Sequence, residues 1–217
     1  MKTPQSKILA WAAVLLASNL VSPVAFAGKF VRPAIVHTAY SASEYSSATG
    51  GSVAGGFDWG VGRQHELSFE VARASWSFDQ PGGLPGLGTT GEGDVTPLLV
   101  NYRYSLGAAE AKFRPYVGGL AGLLFFSGDA SVTLSGVRYG GSADETQAVY
   151  GLAVGIAGRL SDTISLDAGY RYLGAQDVSV GSRYSQGTAG FTGSAGPDIK
   201  LPAPSAHLLA VSLTFEF

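Results

Sequence analysis

The sequence holds three histidines, sixteen acids and no cysteine. Those residues bound the chemistry it could perform. Nucleophilic hydrolysis needs a serine, a base and an orienting acid within hydrogen-bond reach of one another. Ser205 is two residues from His207 and could share its strand face, but no acid is identified to orient that histidine. His37 and His65 stand far away along the chain. Asp129, Asp144 and Glu145 carry the oxygen ligands that calcium favours, yet they read as solvated loop charges. Without cysteine there is no thiolate metal site and no disulfide. No catalytic residue, metal ligand or cofactor is expected.

Eight other charges stand in a pattern. Asp58, Glu66, Glu70, Arg103, Arg159, Asp167, Arg171 and Glu216 all sit at alternate positions, opposite apolar neighbours. Charges placed inside a narrow space must pair, because isolated burial is expensive. Such a set would either plug an interior with salt bridges or line a small pore. The plug is the expectation here.

The elements that would position them are strands. Period-2 alternation recurs along the chain, helical periodicity is almost absent, and 31 glycines would make helices costly. Eight segments are expected, roughly 29–40, 52–60, 65–76, 95–105, 113–126, 147–159, 163–173 and 206–217. In ISLDAGYRY, Ile164, Leu166, Ala168, Tyr170 and Tyr172 oppose Ser165, Asp167, Gly169 and Arg171. Tyr150, Leu152, Val154 and Ile156 oppose Gly151, Ala153, Gly155, Ala157 and Arg159. Leu67, Phe69 and Val71 oppose Glu66, Ser68 and Glu70, while Val53, Phe57 and Trp59 oppose Ala54, Gly56 and Asp58. In the final segment, Leu209, Val211, Leu213, Phe215 and Phe217 oppose Leu208, Ala210, Ser212, Thr214 and Glu216. Arg73 breaks the alternation of its segment and would mark an interface, where a cation beside lipid headgroups costs less. The faces of 29–40 and 113–126 are not assignable by pattern.

Residues 1–27 read as a secretory leader. Lys2 and Lys7 precede the apolar run Ile8–Leu16, and Ala25 and Ala27 stand where a signal peptidase reads, so cleavage is expected before Gly28. That apolar run is well short of the ~20 residues needed to span a bilayer as a helix. Residues 28–217 then form one domain of 190 residues. Losing the two leader lysines leaves 12 basic residues against 16 acids, a net charge of about −4. Nothing in that balance asks for nucleic acid.

Connection lengths alternate. Short turns are expected at 60–64, 107–112 and 161–163, and longer Gly/Pro/Ser/Thr loops at 41–51, 77–94, 127–146 and 174–205. Long on one side and short on the other is the pattern of an outer-membrane barrel. A secreted sandwich would also alternate, but three observations favour the barrel. Beyond the leader, the only lysines are Lys29, Lys112 and Lys200, at a strand start, a turn and a loop. A soluble sheet would carry more along its faces and edges. The polar face is mostly Gly, Ala and Ser with scattered charges, which suits the narrow interior of eight strands. Aromatic residues gather near segment ends: Trp59, Tyr102, Tyr104, Phe215 and Phe217 toward one, Tyr40, Trp76, Phe126 and Tyr172 toward the other. Rings of this kind prefer the two membrane interfaces.

RPYVGGLAG at 114–122, GYRY at 169–172 and LTFEF at 213–217 complete the pattern. On these, the chain resembles the small eight-stranded outer-membrane barrels of the OmpA, OmpX and opacity-protein kind. The resemblance spans 28–217 and implies an all-β, antiparallel, up-and-down transmembrane barrel. It implies that Phe217, supported by Val211, Leu213 and Phe215, is the signal that the outer-membrane assembly machinery reads. Relatives with a peptidoglycan-binding domain continue past the barrel, so a cell-wall anchor is not expected. The expected role is a structural scaffold in the outer membrane. Its loops, with residues such as Arg138, Tyr139, Arg183, Tyr184 and Phe191, would contact lipopolysaccharide, host surfaces or other proteins. A porin-like channel is the second reading, and a barrel enzyme the third.

Overall fold

The computed structural model describes residues 28–41, 45–60, 62–81, 88–108, 110–134, 137–174, 178–180, 183–184, 199–201 and 205–217. Among them there is no helix. Seven strands come first: β1 Gly28–Tyr40, β2 Ala48–Trp59, β3 His65–Pro81, β4 Gly88–Ser105, β5 Phe113–Leu134, β6 Val137–Arg159 and β7 Ile164–Gly174. Three short strands follow, β8 Val178–Val180, β9 Arg183–Tyr184 and β10 Ile199–Leu201, and then β11 Ala206–Glu216. The leader expected at 1–27 lies outside the described residues.

Strands β1 to β7 pair antiparallel in chain order, β7 pairs with β11, and β11 returns to β1. The sheet therefore closes on itself. Within the ring, closure leaves no edge of unpaired N–H and C=O groups, which hydrocarbon would not tolerate; β3 beyond Arg73 and β6 before Tyr150 run on past it. Short β9 adds to β6 through Tyr139↔Tyr184, and β10 pairs with β8 in a separate ribbon.

The short connections and both described ends meet at one rim. Phe217 N–H donates to Lys29 O at 2.9 Å, Glu216 N–H to Thr163 O at 2.9 Å, and Arg159 N–H to Lys112 O at 2.9 Å. At this rim Arg63 adopts a positive φ of 53°, in a turn flanked by left-handed Gly60 and Gly62.

Two of the expected loops are largely strand. The β3–β4 hairpin pairs out to Pro81↔Gly88, and the β5–β6 hairpin to Leu134↔Val137. Asp129, Asp144, Glu145, Arg138 and Tyr139 thus belong to strands, as do Arg183 and Tyr184, while Phe191 lies outside the described residues. The glycines that suggested a loop serve packing instead. A Cβ at Gly93 would stand 2.8 Å from Trp76 Nε1, and one at Gly128 2.7 Å from its ring carbon Cζ2. The indole lies flat on strand backbone that only glycine leaves bare.

Trp76 also corrects the expected outer girdle. It shares the parity of Glu66, Ser68 and Glu70, so it points inward. Trp76, Phe78 and Phe126 form a buried cluster against which Tyr40 and Tyr45 pack. Trp76 and Phe126 stack with ring centroids 4.8 Å apart. Tyr40, Trp76 and Phe126 therefore fill the interior at the long-connection end rather than meeting lipid. Their position near strand ends was no guide to the face they occupy.

Candidate functional site in the barrel interior

The ladder registers bring the inward charges together. Glu66 lies between Asp58 on β2 and Arg103 on β4. Residues paired directly across an antiparallel ladder share a face, so all three point into one layer. Arg32 reaches that layer from β1. Its Nη1 and Nη2 donate to Glu66 Oε1 and Oε2 at 2.9 and 2.7 Å, and its Nε donates to Thr214 Oγ1 at 2.8 Å. Two parallel bonds of this kind fix both plane and position.

Arg103 extends the chain of charge. It stands 3.1 Å from Glu66 Oε2 and donates from Nη1 to Asp167 Oδ2 at 2.6 Å. Its guanidinium lies 4.0 Å from the centre of the Tyr116 ring. Tyr116 donates to the second oxygen of Asp167 at 3.1 Å. The phenol crosses the interior over Gly155 and Gly169, where a Cβ would fall 2.3 and 2.2 Å from its oxygen. Beside this group, Arg171 Nη1 donates to Glu70 Oε2 at 2.6 Å, and Asn101 Nδ2 donates to the same oxygen at 3.1 Å. Arg32, Arg103 and Arg171 thus face Glu66, Glu70 and Asp167, three cations against three anions. Arg32, Glu66, Glu70 and Asp167 are all buried. Their desolvation is offset only because each keeps a close partner.

Arg159 and Glu216, the other expected charges, lie nearer the short-turn rim, where Arg63 and Arg114 join them. Arg63 bridges Asp58 at 3.6 Å and also contacts Glu216. Arg114 Nη2 donates to the carbonyls of Gly62 and Arg63 at 2.9 and 3.2 Å. Arg159 is exposed and takes part in no salt bridge among the described residues. Arg32, Glu66, Arg103, Arg114, Arg159 and Glu216 help to line a polar vestibule of about 340 Å³ at this rim.

Toward the long-connection end the interior turns apolar. Two inward positions along β1 from Arg32 is Val36, and two along β4 from Arg103 is Leu99. With Leu120, Val149, Leu173, Leu208 and Ala210 they make a buried layer. The interior is therefore stratified, with charge at one depth and hydrocarbon at the next.

The outside is the reverse of a water-soluble surface. Ile35, Val53, Phe69, Val117, Leu152, Val154, Leu209 and Val211 are all exposed, on every side of the ring. So broad an apolar surface on a closed sheet is one that lipid covers. No protein-family model matches the sequence, and no curated protein matches it. Solved structures do. A major outer membrane protein from Thermus thermophilus matches with a TM-score of 0.59 at 16% identity, covering 88% of this chain and 100% of that one. OprG from Pseudomonas aeruginosa matches with a TM-score of 0.52 at 12% identity, covering 88% and 97%. Neisserial surface protein A covers 88% and 96% at 16% identity, with a TM-score of 0.45.

This is the fold of an integral outer-membrane β-barrel.

In such a barrel, outward aromatics belong at the interfaces. At the short-turn end Trp59 stacks on His65 with centroids 5.4 Å apart, and Tyr102 and Tyr104 lie beside that histidine. His65 Nδ1 meets Tyr102 Oη at 2.8 Å. At the other end Tyr170 Oη meets His207 Nδ1 at 2.6 Å, and Tyr172 Oη donates to Ser205 Oγ at 2.8 Å. Ser205 and His207 each engage a tyrosine on the barrel exterior. His37 Nδ1 meets Thr49 Oγ1 at 3.1 Å, also outside. Among the described residues, no three His, Asp or Glu are grouped to hold a metal ion.

Arg32 and Tyr116 in the interior layer, and Arg114 at the rim, escape a reading by alternation. They lie on β1 and β5, where apolar residues occupy both faces. Phe30 and Val36 are buried inward while Ile35 is exposed outward. For Arg32 the available signal was an arginine amid apolar neighbours, which must find an acid inside; nothing local marked Arg114 or Tyr116.

Proposed function

We propose that this chain is a closed outer-membrane scaffold, with its working surface at the long-connection end. The transmembrane unit is eight strands, β1 to β7 and β11, each flanked by two neighbours in the ring. The observation that carries the closed reading is the linked set Arg32–Glu66–Arg103–Asp167, which crosses the interior at one depth. A lumen of eight strands is only wide enough for side chains to fill. Phe217 serves as the assembly signal, and residues 1–27 as the cleaved leader. The long connections meet lipopolysaccharide or a partner at the cell surface, because rigid scaffolds commonly carry function on their loops.

The test is conductance of the refolded protein in planar bilayers, beside Arg171→Ala. A silent wild type with a conducting variant supports the scaffold. Steady wild-type conductance overturns it in favour of a small channel. The polar vestibule at the short-turn rim favours that second reading, since an ion would find water and balanced charge there.

A further inference from the structure

Between the apolar layer and the aromatic cluster lies a cavity of about 110 Å³. Val36, Trp76, Leu124, Phe126, Leu173 and Leu208 are among the side chains that bound it. Those walls are mostly hydrocarbon, with Thr38, Tyr40 and Gln147 as polar side chains among them. An apolar cavity of comparable size stays dry and takes up benzene or xenon.

The wall beside this cavity is thin. Pairing between β2 and β3 stops at Gly51↔Arg73, whereas β2 continues against β1 as far as Thr38↔Ala48. The chain before β2 next meets β3 where Ser46 N–H donates to Ser77 O at 3.0 Å and Tyr45 bridges Phe78. Between those contacts β2 and β3 lie close but without ladder pairing: a Cβ at Gly50 would fall 2.1 Å from the Arg73 carbonyl oxygen and 3.2 Å from Ala74 Cα, so the seam is closed by backbone contact and not by hydrogen bonds. Gly51 and Arg73 face outward, yet both also line the cavity. The β3–β4 ladder is interrupted at the same height: its pairs pass from Val71↔Leu98 to Ala74↔Val95, and Pro97 in that interval has no N–H to give. Arg73 is held outside the wall by Asp94 at 2.8 Å. Below, the paired charges of Arg171, Glu70, Arg32 and Glu66 close the way to the opposite rim.

We propose that this cavity binds a small uncharged hydrocarbon group, a single aromatic ring or the last methylenes of an acyl chain, which enters from the bilayer between β2 and β3. The site is a dead end, so it binds and does not translocate. Charged ligands are refused because Arg73, the charged residue of the lining, is already paired with Asp94 on the outer side of the wall. The lateral route rests on the membrane-barrel reading, while the cavity itself does not.

Trp76 bounds the cavity and reports on it. Replacing Trp11 and Trp59 by Phe leaves it as the only one of the three tryptophans. Bromobenzene is titrated into this variant in micelles and in vesicles, and in a second arm the vesicle lipids carry bromine at the end of the acyl chain. The expected result is saturable quenching by bromobenzene in both media, lost when Val149→Phe or Ala74→Leu fills the cavity. Quenching by brominated lipid alone assigns the site to acyl chains. No saturable quenching by either probe overturns the proposal, as does quenching that survives both filling variants. Heat-dependent gel mobility identifies which variants are folded. Failure to enter vesicles counts against the membrane reading, and the micelle titration still decides the cavity.

Discussion

Arg32 and Glu66 are held face to face by two hydrogen bonds of 2.9 and 2.7 Å, with both side chains at least nine-tenths buried. Neither residue could be tolerated at that depth alone. Truncating one partner of a buried pair typically costs about 3–5 kcal/mol. Glu66→Gln should lose an amount of that order, because Arg103 leans on the same carboxylate. Arg32→Met combined with Glu66→Leu should cost less than Glu66→Gln alone. The double change leaves Arg103 with Asp167 and Arg171 with Glu70, each still paired. Urea unfolding in lipid vesicles, followed by tryptophan emission, checks the order of these stabilities.

The outward face makes the opposite demand. Val154 stands in the middle of the exposed row of β6. An arginine at the bilayer midplane of a barrel costs about 2–4 kcal/mol. Val154→Arg should destabilise the protein by that much in vesicles. Ser142→Arg, on the same face but far out along the β6 extension, should be close to neutral. Equal losses at the two positions would refute the assigned depth.

Phe217 is 77% exposed, and its N–H bonds to the carbonyl of Lys29. Its ring contributes little to the folded barrel, so a role in assembly and a role in stability can be separated. Phe217→Ala should refold in detergent with almost unchanged stability. In cells it should leave several-fold less heat-modifiable protein in the outer-membrane fraction. Normal insertion would remove the assembly role.

Cleavage before Gly28 predicts the mass of the protein recovered from outer membranes, corresponding to residues 28–217. Ala25→Arg or Ala27→Arg should leave an uncleaved precursor. An unchanged mass in both variants would place the cleavage elsewhere.

Much of the barrel was legible because alternation is a direct imprint of a two-faced sheet. Asp167 and Arg171 among outward Leu166, Tyr170 and Tyr172 left little choice of face. What alternation could not supply was depth. Leu208 shares the parity of Ser212 and Thr214 yet lies in the apolar layer, because the interior changes character partway along each strand. The same change hid Phe30, Arg32 and Tyr116, whose strands show apolar residues on both sides. Glycine misled in the hairpins for a related reason. Composition marks Gly91–Gly93 as part of the loop 77–94, but Trp76 on the neighbouring strand requires a bare backbone there. That demand comes from a residue distant in the chain and leaves no local mark.

The hydrogen bond from Arg32 to Thr214 joins positions 182 residues apart. Contacts of such separation are made only after a long loop has closed, and topologies rich in them fold slowly. Until β11 docks on β1, Arg32 and Glu66 face an open, wet trough in which their charges are hydrated cheaply. Docking the final strand removes that water in the same act that completes the ladder. Completing the ring and desolvating the interior charges are therefore one and the same step. An arrested intermediate would be a curved, unsealed sheet with its charges still titratable by solvent.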